Sequence, residues 1–318
     1  MKNKKGIAIA VFAVGVCVAG YLLYRNLRDY SAAEILASVT ATPLPNLAAA
    51  IGFAAASYLC LTGFDFLGAR HVGRPQPYPR AALASFVSLS LGHSIGFAAL
   101  SSGAVRYKFY SAWGLSTGEI AGLILFCGLT VGLGLTGLVA ITALTRPDLA
   151  AGLIGIAPAA VMGIGAAAVG VLALYLAAAW RIRRPLKIRQ FELSLPDVKT
   201  GALQIVLGTV NFAFVAACLH QALAAAARTD YLTVAAAYVL ANVGTLITHA
   251  PGGLGVIETI VTMSLPGATV IGALLVFRAV YFLLPLSLGL ILFAATSFTP
   301  KEEAAPPAGA ARPATVRK

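Results

Sequence analysis

The hydrophobic and polar positions of this chain fall into long blocks, and the apolar blocks reach the length of membrane-spanning helices. A helix needs about 20 apolar residues to cross the hydrocarbon core of a bilayer. Segments of this kind cover 6–24, 46–68, 81–100, 119–143, 154–179, 200–226, 231–264 and 268–296. Such continuous runs exclude a transmembrane β-barrel, whose strands alternate in polarity. The pattern predicts an all-α polytopic membrane protein with about eight hydrophobic helical segments.

The composition agrees with this pattern and sets the domain organisation. Apolar residues make up 59% of the chain and charged residues only 11%, too few to cover the surface of a soluble domain. We predict one integral membrane domain over residues 1–299. Residues 300–318 are rich in Ala, Pro and charge, which predicts a disordered cytoplasmic tail.

The basic residues between the apolar segments set the predicted orientation. Short loops rich in Lys and Arg stay in the cytoplasm, and the most basic loops are 69–80 and 180–199. With a cytoplasmic N-terminus, two segments return the chain to the inside at the first of these loops. Three segments then precede the second, so the loops share a side only if one of the three enters and leaves on the same side. We assign that role to 81–118, which Gly103 and Gly114 interrupt.

The second half of the chain poses the same problem in the opposite orientation. Segment 231–264 is interrupted at Pro251, Gly252 and Gly253, and we expect it to re-enter from the outside. Span, broken unit and span therefore occur twice. This is an inverted repeat with two broken, re-entrant units, an arrangement that secondary transporters use to build a site near the bilayer midplane.

A weak internal match supports the repeat. A shift of 152 residues places Gly92 on Gly244, Gly103 on Gly255 and Arg106 on Glu258. The alternative is that 81–118 and 231–264 are plain spans and that the positive-inside rule is broken once.

The stretch "THAPGGLGVIET", residues 248–259, combines the features of an anion site. Its proline ends a helix, and a new half-helix starting near Leu254 would present free N–H groups and a positive dipole end to phosphate or carboxylate. Glu258 needs a partner at this depth, and Arg278 lies about 15 Å into the last segment. The two form a structural bridge, or Arg278 meets an anionic substrate group, or it alternates between the two. The candidate substrate-binding residues are Arg106, His249, Pro251, Gly252, Gly253, Gly255, Glu258 and Arg278.

Other charged and reactive residues carry weaker expectations. Lys108 can lie at the membrane interface, and Asp65 and Glu119 sit near span ends, where interface placement costs little. The net charge of +12 reflects basic loops rather than nucleic-acid binding. The chain has no G-x-S-x-G, H-E-x-x-H or Walker A motif, and its four cysteines lie singly in apolar segments. We therefore predict no enzyme, no catalytic residue, no metal and no cofactor.

Two stretches carry a resemblance to a known family. "APGGLGVIE", followed about twenty residues later by "FRAVYFLLP", resembles the membrane domain of the lysylphosphatidylglycerol synthase/flippase family, and "GAVRYKFYSAWGLSTGEI" resembles its stand-alone, YbhN-like members. The resemblance covers roughly residues 6–298. It implies a lipid translocase-like, multi-pass protein of the bacterial inner membrane. Synthase activity is not expected, because no catalytic domain follows residue 298.

The resulting hypothesis is a flippase-like protein that moves a phospholipid, or another anionic or aminoacylated lipid, between leaflets. Two alternatives stay open: a secondary transporter of a soluble anion, and a non-transporting membrane subunit of a lipid-modifying system. Membrane lipids are the expected partners and nucleic acid is not. A homo-oligomer or a lipid-synthesis enzyme remains open as a protein partner.

Overall fold

The computed structural model describes residues 32–95, 98–182, 186–188, 191–193, 195–248, 253, 255–265 and 270–298. The predicted first segment, 6–24, and the predicted disordered tail, 300–318, lie outside the described residues. The helices are α1 (Ala32–Ala41), α2 (Leu44–His71), α3 (Tyr78–Ile95), α4 (Ala98–Ala112), α5 (Thr117–Thr145), α6 (Pro147–Ile154), α7 (Pro158–Arg181), α8 (Val198–Leu223), α9 (Tyr231–Thr248), α10 (Val256–Ser264), α11 (Ile271–Arg278) and α12 (Leu284–Phe298). A π-helical turn, Ala279–Leu283, joins the last two.

Six helical stretches within the described residues are long and apolar enough to cross a membrane. They are α2, α5, α7, α8, α9 and the continuous stretch Ile271–Thr296. The prediction of an all-helical, polytopic membrane protein is confirmed. Neither α3 nor α4 qualifies as a span, which agrees with the prediction that 81–118 is not a plain crossing. Helix α9 does qualify, so length alone does not separate a re-entrant unit from a plain span in the second half.

Both predicted helix breaks exist, but one lies at a different place. Helix α3 ends at Ile95 and α4 begins at Ala98, so the predicted break at Gly103 is wrong. Gly103 lies inside α4 because a single glycine costs a helix only about 1 kcal/mol. Gly114 ends the unit with a φ of +87°, as a turn glycine does.

The second break lies where the sequence predicts it. Helix α9 ends at Thr248 and α10 begins at Val256. In both broken units the two helices pack against each other, α3 on α4 and α9 on α10.

The loop predicted over 180–199 contains a short β-hairpin. Strands β1 (Leu186–Ile188) and β2 (Phe191–Leu193) pair antiparallel, with Lys187 opposite Glu192. The alternation over so few residues is too short to stand out in a sequence otherwise dominated by helical runs.

The helix ends follow the repeat predicted from the sequence. His71 and Leu223 end corresponding helices and lie 152 residues apart, as do Ala112 and Ser264. The packing is reciprocal as well, because α3 contacts α12 and α9 contacts α5. Each broken unit thus packs on the last span of the other half, which is the pattern of a two-fold relation.

Contacts along the central pair of helices give the direction of the repeat. Near the start of α2, Asn46 Nδ2 donates to Gln221 Oε1 near the end of α8, at 2.8 Å. Farther along α2, Ser57 Oγ donates to Asn211 Oδ1 at 2.7 Å. The contacts advance along α2 as they retreat along α8, so these corresponding helices are antiparallel. This geometry is that of an inverted repeat.

Helices α5 and α8 touch through their backbones. A Cβ on Gly208 would lie 2.5 Å from the backbone oxygen of Thr130 and 2.7 Å from the Cα of Gly134. Small residues allow this approach between membrane helices. Beside the contact, Gln204 Nε2 donates to Thr130 Oγ1 at 2.8 Å. The two helices therefore form a close-packed scaffold.

The start of the first basic loop and the end of the second lie on the same face of the molecule. Hydrogen bonds from Thr200 lower the pKa of the Asp197 carboxyl, and the positive charges of Lys199 and His71 lower it further. His71 ends α2 and Asp197 precedes α8, so the ends of both helices lie close together. This agrees with the prediction that the two loops share a side.

Candidate functional site

Among the described residues, two ion pairs lie inside the helix bundle, one in each half. Asp65 pairs with Arg106 in the first half, and Glu258 pairs with Arg278 in the second. Arg106 and Glu258 occupy equivalent places, because each is followed by six residues before its helix ends, at Ala112 in α4 and at Ser264 in α10. Each pair joins the second helix of a broken unit to a span of the same half.

The predicted pairing of Glu258 with Arg278 is confirmed. Oε1 of Glu258 lies 2.7 Å from Nε and 2.5 Å from Nη2 of Arg278, so the two nitrogens share one oxygen. Among the described residues, Nη2 is buried and makes this contact without a well-aligned hydrogen bond. The side chain of Arg278 is 8% exposed and that of Glu258 is 22% exposed. Arg278 therefore keeps unused donor capacity next to a carboxylate that solvent or lipid can reach.

Glycines shape the start of α10 beside this pair. Gly255 has a φ of +77° and Gly253 a φ of +65°, values that residues with a Cβ adopt only at a cost. Gly253 is buried, and a Cβ there would lie 2.8 Å from Ile257. Glu258 Oε2 accepts a hydrogen bond from the backbone N–H of Gly255 at 2.9 Å. The carboxylate thus pairs with Arg278 and also stabilises the positive N-terminal end of α10.

Arg278 lies close to the middle of the bundle. Tyr281, three residues later, has its hydroxyl 3.1 Å from Ser57 Oγ, and Ser57 is the midpoint of the 28-residue α2. Three helical residues advance about 4.5 Å, so Arg278 is about one turn from the centre. The π-helical turn begins directly after it at Ala279, and such turns are frequent at functional sites.

The Asp65–Arg106 pair in the first half is buried on all sides. Arg106 donates from Nε to Asp65 Oδ1 at 2.9 Å and from Nη2 to Oδ2 at 2.8 Å, and Tyr110 OH donates to Oδ1 at 3.1 Å. The thiol of Cys127 lies 3.8 Å from Oδ2. The side chain of Asp65 is 0% exposed and that of Arg106 is 4% exposed. Asp65, expected near a span end, is buried inside the protein, where it supplies the countercharge for an arginine.

Two other charged residues, Lys108 and Glu119, make contacts away from both ion pairs. The ammonium of Lys108 lies 3.6 Å from the ring centre of Phe293, over its face. Glu119 lies at the start of α5 as expected, where it bonds back to Ser116 in a capping box and pairs with Arg74 at 2.7 Å.

The structure brings together part of the predicted site. Gly253, Gly255, Glu258 and Arg278 form one cluster, whereas Arg106 lies in the other half and is neutralised there. His249, Pro251 and Gly252 lie outside the described residues. Sequence reasoning missed Asp65 and Tyr110. A signal for Asp65 was present, since it is the single acidic residue of segment 46–68 and an intramembrane arginine needs a countercharge.

Comparison with known proteins agrees with the class that this architecture defines, a multi-pass helical membrane protein. No family model matches the chain. It is 26% identical over 285 residues to the inner membrane protein YbhN of Escherichia coli, covering 85% of this chain and 82% of that protein. It is 30% identical over 285 residues to the uncharacterized protein slr0712 of Synechocystis sp., covering 87% and 88% respectively. The chain belongs to the family of this cyanobacterial protein.

Proposed function

We propose that the protein is a lipid translocase that moves an anionic or aminoacylated phospholipid between the leaflets of a bacterial inner membrane. The observation that carries the proposal is the Glu258–Arg278 pair, an incompletely satisfied ion pair near the middle of the bundle and at the start of a discontinuous helix. The similarity of "APGGLGVIE" and "FRAVYFLLP" to the membrane domain of the lysylphosphatidylglycerol synthase/flippase family supports the same proposal.

The pair has the chemistry to bind a phosphate group. Nη2 of Arg278 is buried and lies 2.5 Å from Glu258 Oε1 without a well-aligned hydrogen bond among the described residues, and guanidinium groups bind phosphate through two parallel bonds. The N-terminus of α10 adds N–H groups and a positive dipole end. Glu258 can release Arg278 to a phosphate because it retains its bond to the Gly255 N–H. After exchange of the carboxylate for a headgroup phosphate, Arg278 would be paired with the phosphate and Glu258 would keep its hydrogen bond from the Gly255 N–H.

The inverted repeat supplies the frame for movement across the membrane. Secondary transporters with such repeats place their sites at discontinuous helices near the midplane, and one bundle moves against the other. The backbone contact at Gly134 and Gly208 favours α5 and α8 as the fixed part, with the broken units as the moving part. We further propose that the N-terminus is cytoplasmic, since this orientation puts both basic loops on the inside.

Reconstitution into liposomes tests the proposal. Vesicles contain fluorescently labelled phosphatidylglycerol or lysylphosphatidylglycerol, and a membrane-impermeant reductant bleaches the label in the outer leaflet. We expect the inner-leaflet label to become accessible faster than in empty vesicles. Arg278→Gln should slow this by about tenfold or more, the effect of about 1.4 kcal/mol. Arg146→Gln is the matched control, because it removes an arginine from a surface pair with Asp230.

The outcomes separate the alternatives. If lipid exchange is no faster than in empty vesicles, the lipid translocase proposal is wrong. Uptake of inorganic phosphate or sulfate without lipid exchange would favour a transporter of soluble anions. Lipid exchange that Arg278→Gln leaves unchanged would keep the function and remove Arg278 from the site.

A further inference from the structure

Arg106 and Glu258 lie at equivalent positions, but their partners lie on different spans, and the two ion pairs differ in closure. Arg106 uses two nitrogens on two oxygens of Asp65, and both side chains are almost completely buried. Arg278 uses two nitrogens on one oxygen of Glu258, and the carboxylate is 22% exposed. Two halves with the same order of helices and reciprocal packing thus hold their ion pairs in two different states.

An inverted repeat relates these states to each other. Corresponding helices meet the same kinds of neighbours, since α3 packs on α12 as α9 packs on α5. Each half can therefore adopt the conformation that the other now has, which is the basis of alternating access in such folds. The present structure is then one of two related conformations, closed around Asp65 and partly open around Glu258.

We propose that Asp65, Arg106 and Tyr110 form a second headgroup station, closed in this conformation, which opens when the Glu258–Arg278 pair seals. The identity of its ligand, the phosphate of a lipid headgroup, rests on the proposed function. The alternation, in which one ion pair opens as the other closes, does not rest on the proposed function.

The donor set of the closed cluster fits a phosphate. Arg106 offers Nε and Nη2 in parallel, and the Tyr110 hydroxyl converges on the same carboxylate. A phosphate that takes the place of Asp65 would receive all three hydrogen bonds. Tyr110 here has the role that the Gly255 N–H has in the second half, that of an additional donor to the carboxylate of the pair.

The chain contains its own reporters for this exchange. Cys127 is buried with its thiol 3.8 Å from Asp65 Oδ2, so it becomes reachable only when the first cluster opens. Cys218 is fully buried in α8, away from both pairs along the chain, and reports general loosening. Replacement of Cys17 and Cys60 by serine leaves these two thiols.

Labelling by N-ethylmaleimide in liposomes, quantified for each cysteine by mass spectrometry, tests the proposal. Cys127 should react measurably in the folded protein while Cys218 stays protected. Glu258→Gln removes the pair that must seal in the alternate conformation, so that conformation becomes rarer. We therefore expect Cys127 to react about tenfold more slowly in Glu258→Gln, and at an unchanged rate in the matched surface variant Glu119→Gln.

The direction of the effect makes the test decisive. A variant that merely loosens the fold speeds the labelling of buried thiols, whereas the proposal requires slower labelling. A Cys127 thiol as inert as Cys218, or a rate that Glu258→Gln leaves unchanged or raises, would overturn it. The readout needs no lipid movement, so the liposome flux assay can fail while the exchange between the two pairs stands, and the reverse.

Discussion

Removal of Arg106 alone should cost more stability than removal of both partners of its ion pair. Arg106→Leu leaves the Asp65 carboxylate fully buried, with Tyr110 as its remaining strong donor. Breaking a buried ion pair by removing one partner costs about 3–5 kcal/mol. Unfolded membrane helices find other partners, so we expect a loss near the lower end, about 3 kcal/mol.

The double variant Asp65→Leu/Arg106→Leu separates the charge pair from its surroundings. Apolar replacement of both partners is often neutral, which leaves the unpaired Tyr110 hydroxyl at about 1–2 kcal/mol. The double variant should therefore be more stable than Arg106→Leu. Arg74→Leu is the control, because its pair with Glu119 is exposed and is worth about 0–1 kcal/mol.

Reversible unfolding by SDS in mixed micelles, followed by circular dichroism, measures the free energies of unfolding of the wild type, Arg106→Leu, Asp65→Leu, the double variant and Arg74→Leu. A loss below about 1 kcal/mol for Arg106→Leu, equal to that of Arg74→Leu, would mean that the pair is not buried as the structure has it. A double variant as unstable as the sum of both single variants would mean that the two charges do not interact.

Two further predictions concern the scaffold and its surface. Gly208→Ala places a Cβ 2.5 Å from a backbone oxygen of Thr130 and should lower the free energy of unfolding by about 1–3 kcal/mol. The control is Gly132→Ala, which has open space around its Cβ and should not destabilise the protein in the same assay. Equal effects of the two variants would contradict the close contact between α5 and α8. At the start of α9, hydrogen bonds, first of all from Thr233, lower the pKa of Asp230 from its usual 3.8 to about 2. Its contribution to stability is therefore complete above about pH 4 and is lost as the pH falls towards 2. Thr233→Val should shift that loss to higher pH in melting curves between pH 2 and 5, and an identical pH profile would argue against the bond.

Patterns with a strong local cause were predictable from the sequence. A proline directly followed by two glycines favours the end of a helix, so the end of α9 near Thr248 was predictable from the local sequence. An unpaired charge is costly in lipid, and this cost similarly predicted Arg278 as the partner of Glu258. Three matched residue pairs in the sequence predicted a repeat offset of 152 residues, and corresponding helix ends in the fold show the same offset.

Features that depend on tertiary context were not predictable in the same way. Gly103 looks like a helix breaker, but helix packing tolerates it, and α4 runs through it. The partner of Arg106 lies 41 residues away along the chain, and Asp65 stands near the end of an apolar run, where an interface position is equally reasonable by sequence. Its burial follows from the way in which α2, α4 and α5 meet around it.

The location of both ion pairs within single halves has a consequence for biosynthesis. Proteins emerge from the ribosome N-terminal part first, and a charge without a partner is costly in lipid. Asp65 and Arg106 can neutralise each other before any residue of the second half has been made. The contact between Ser57 and Asn211, by contrast, has to wait for α8. Membrane insertion can therefore proceed one half at a time, with each half already free of unpaired intramembrane charge at its ion pair before the two halves close on each other.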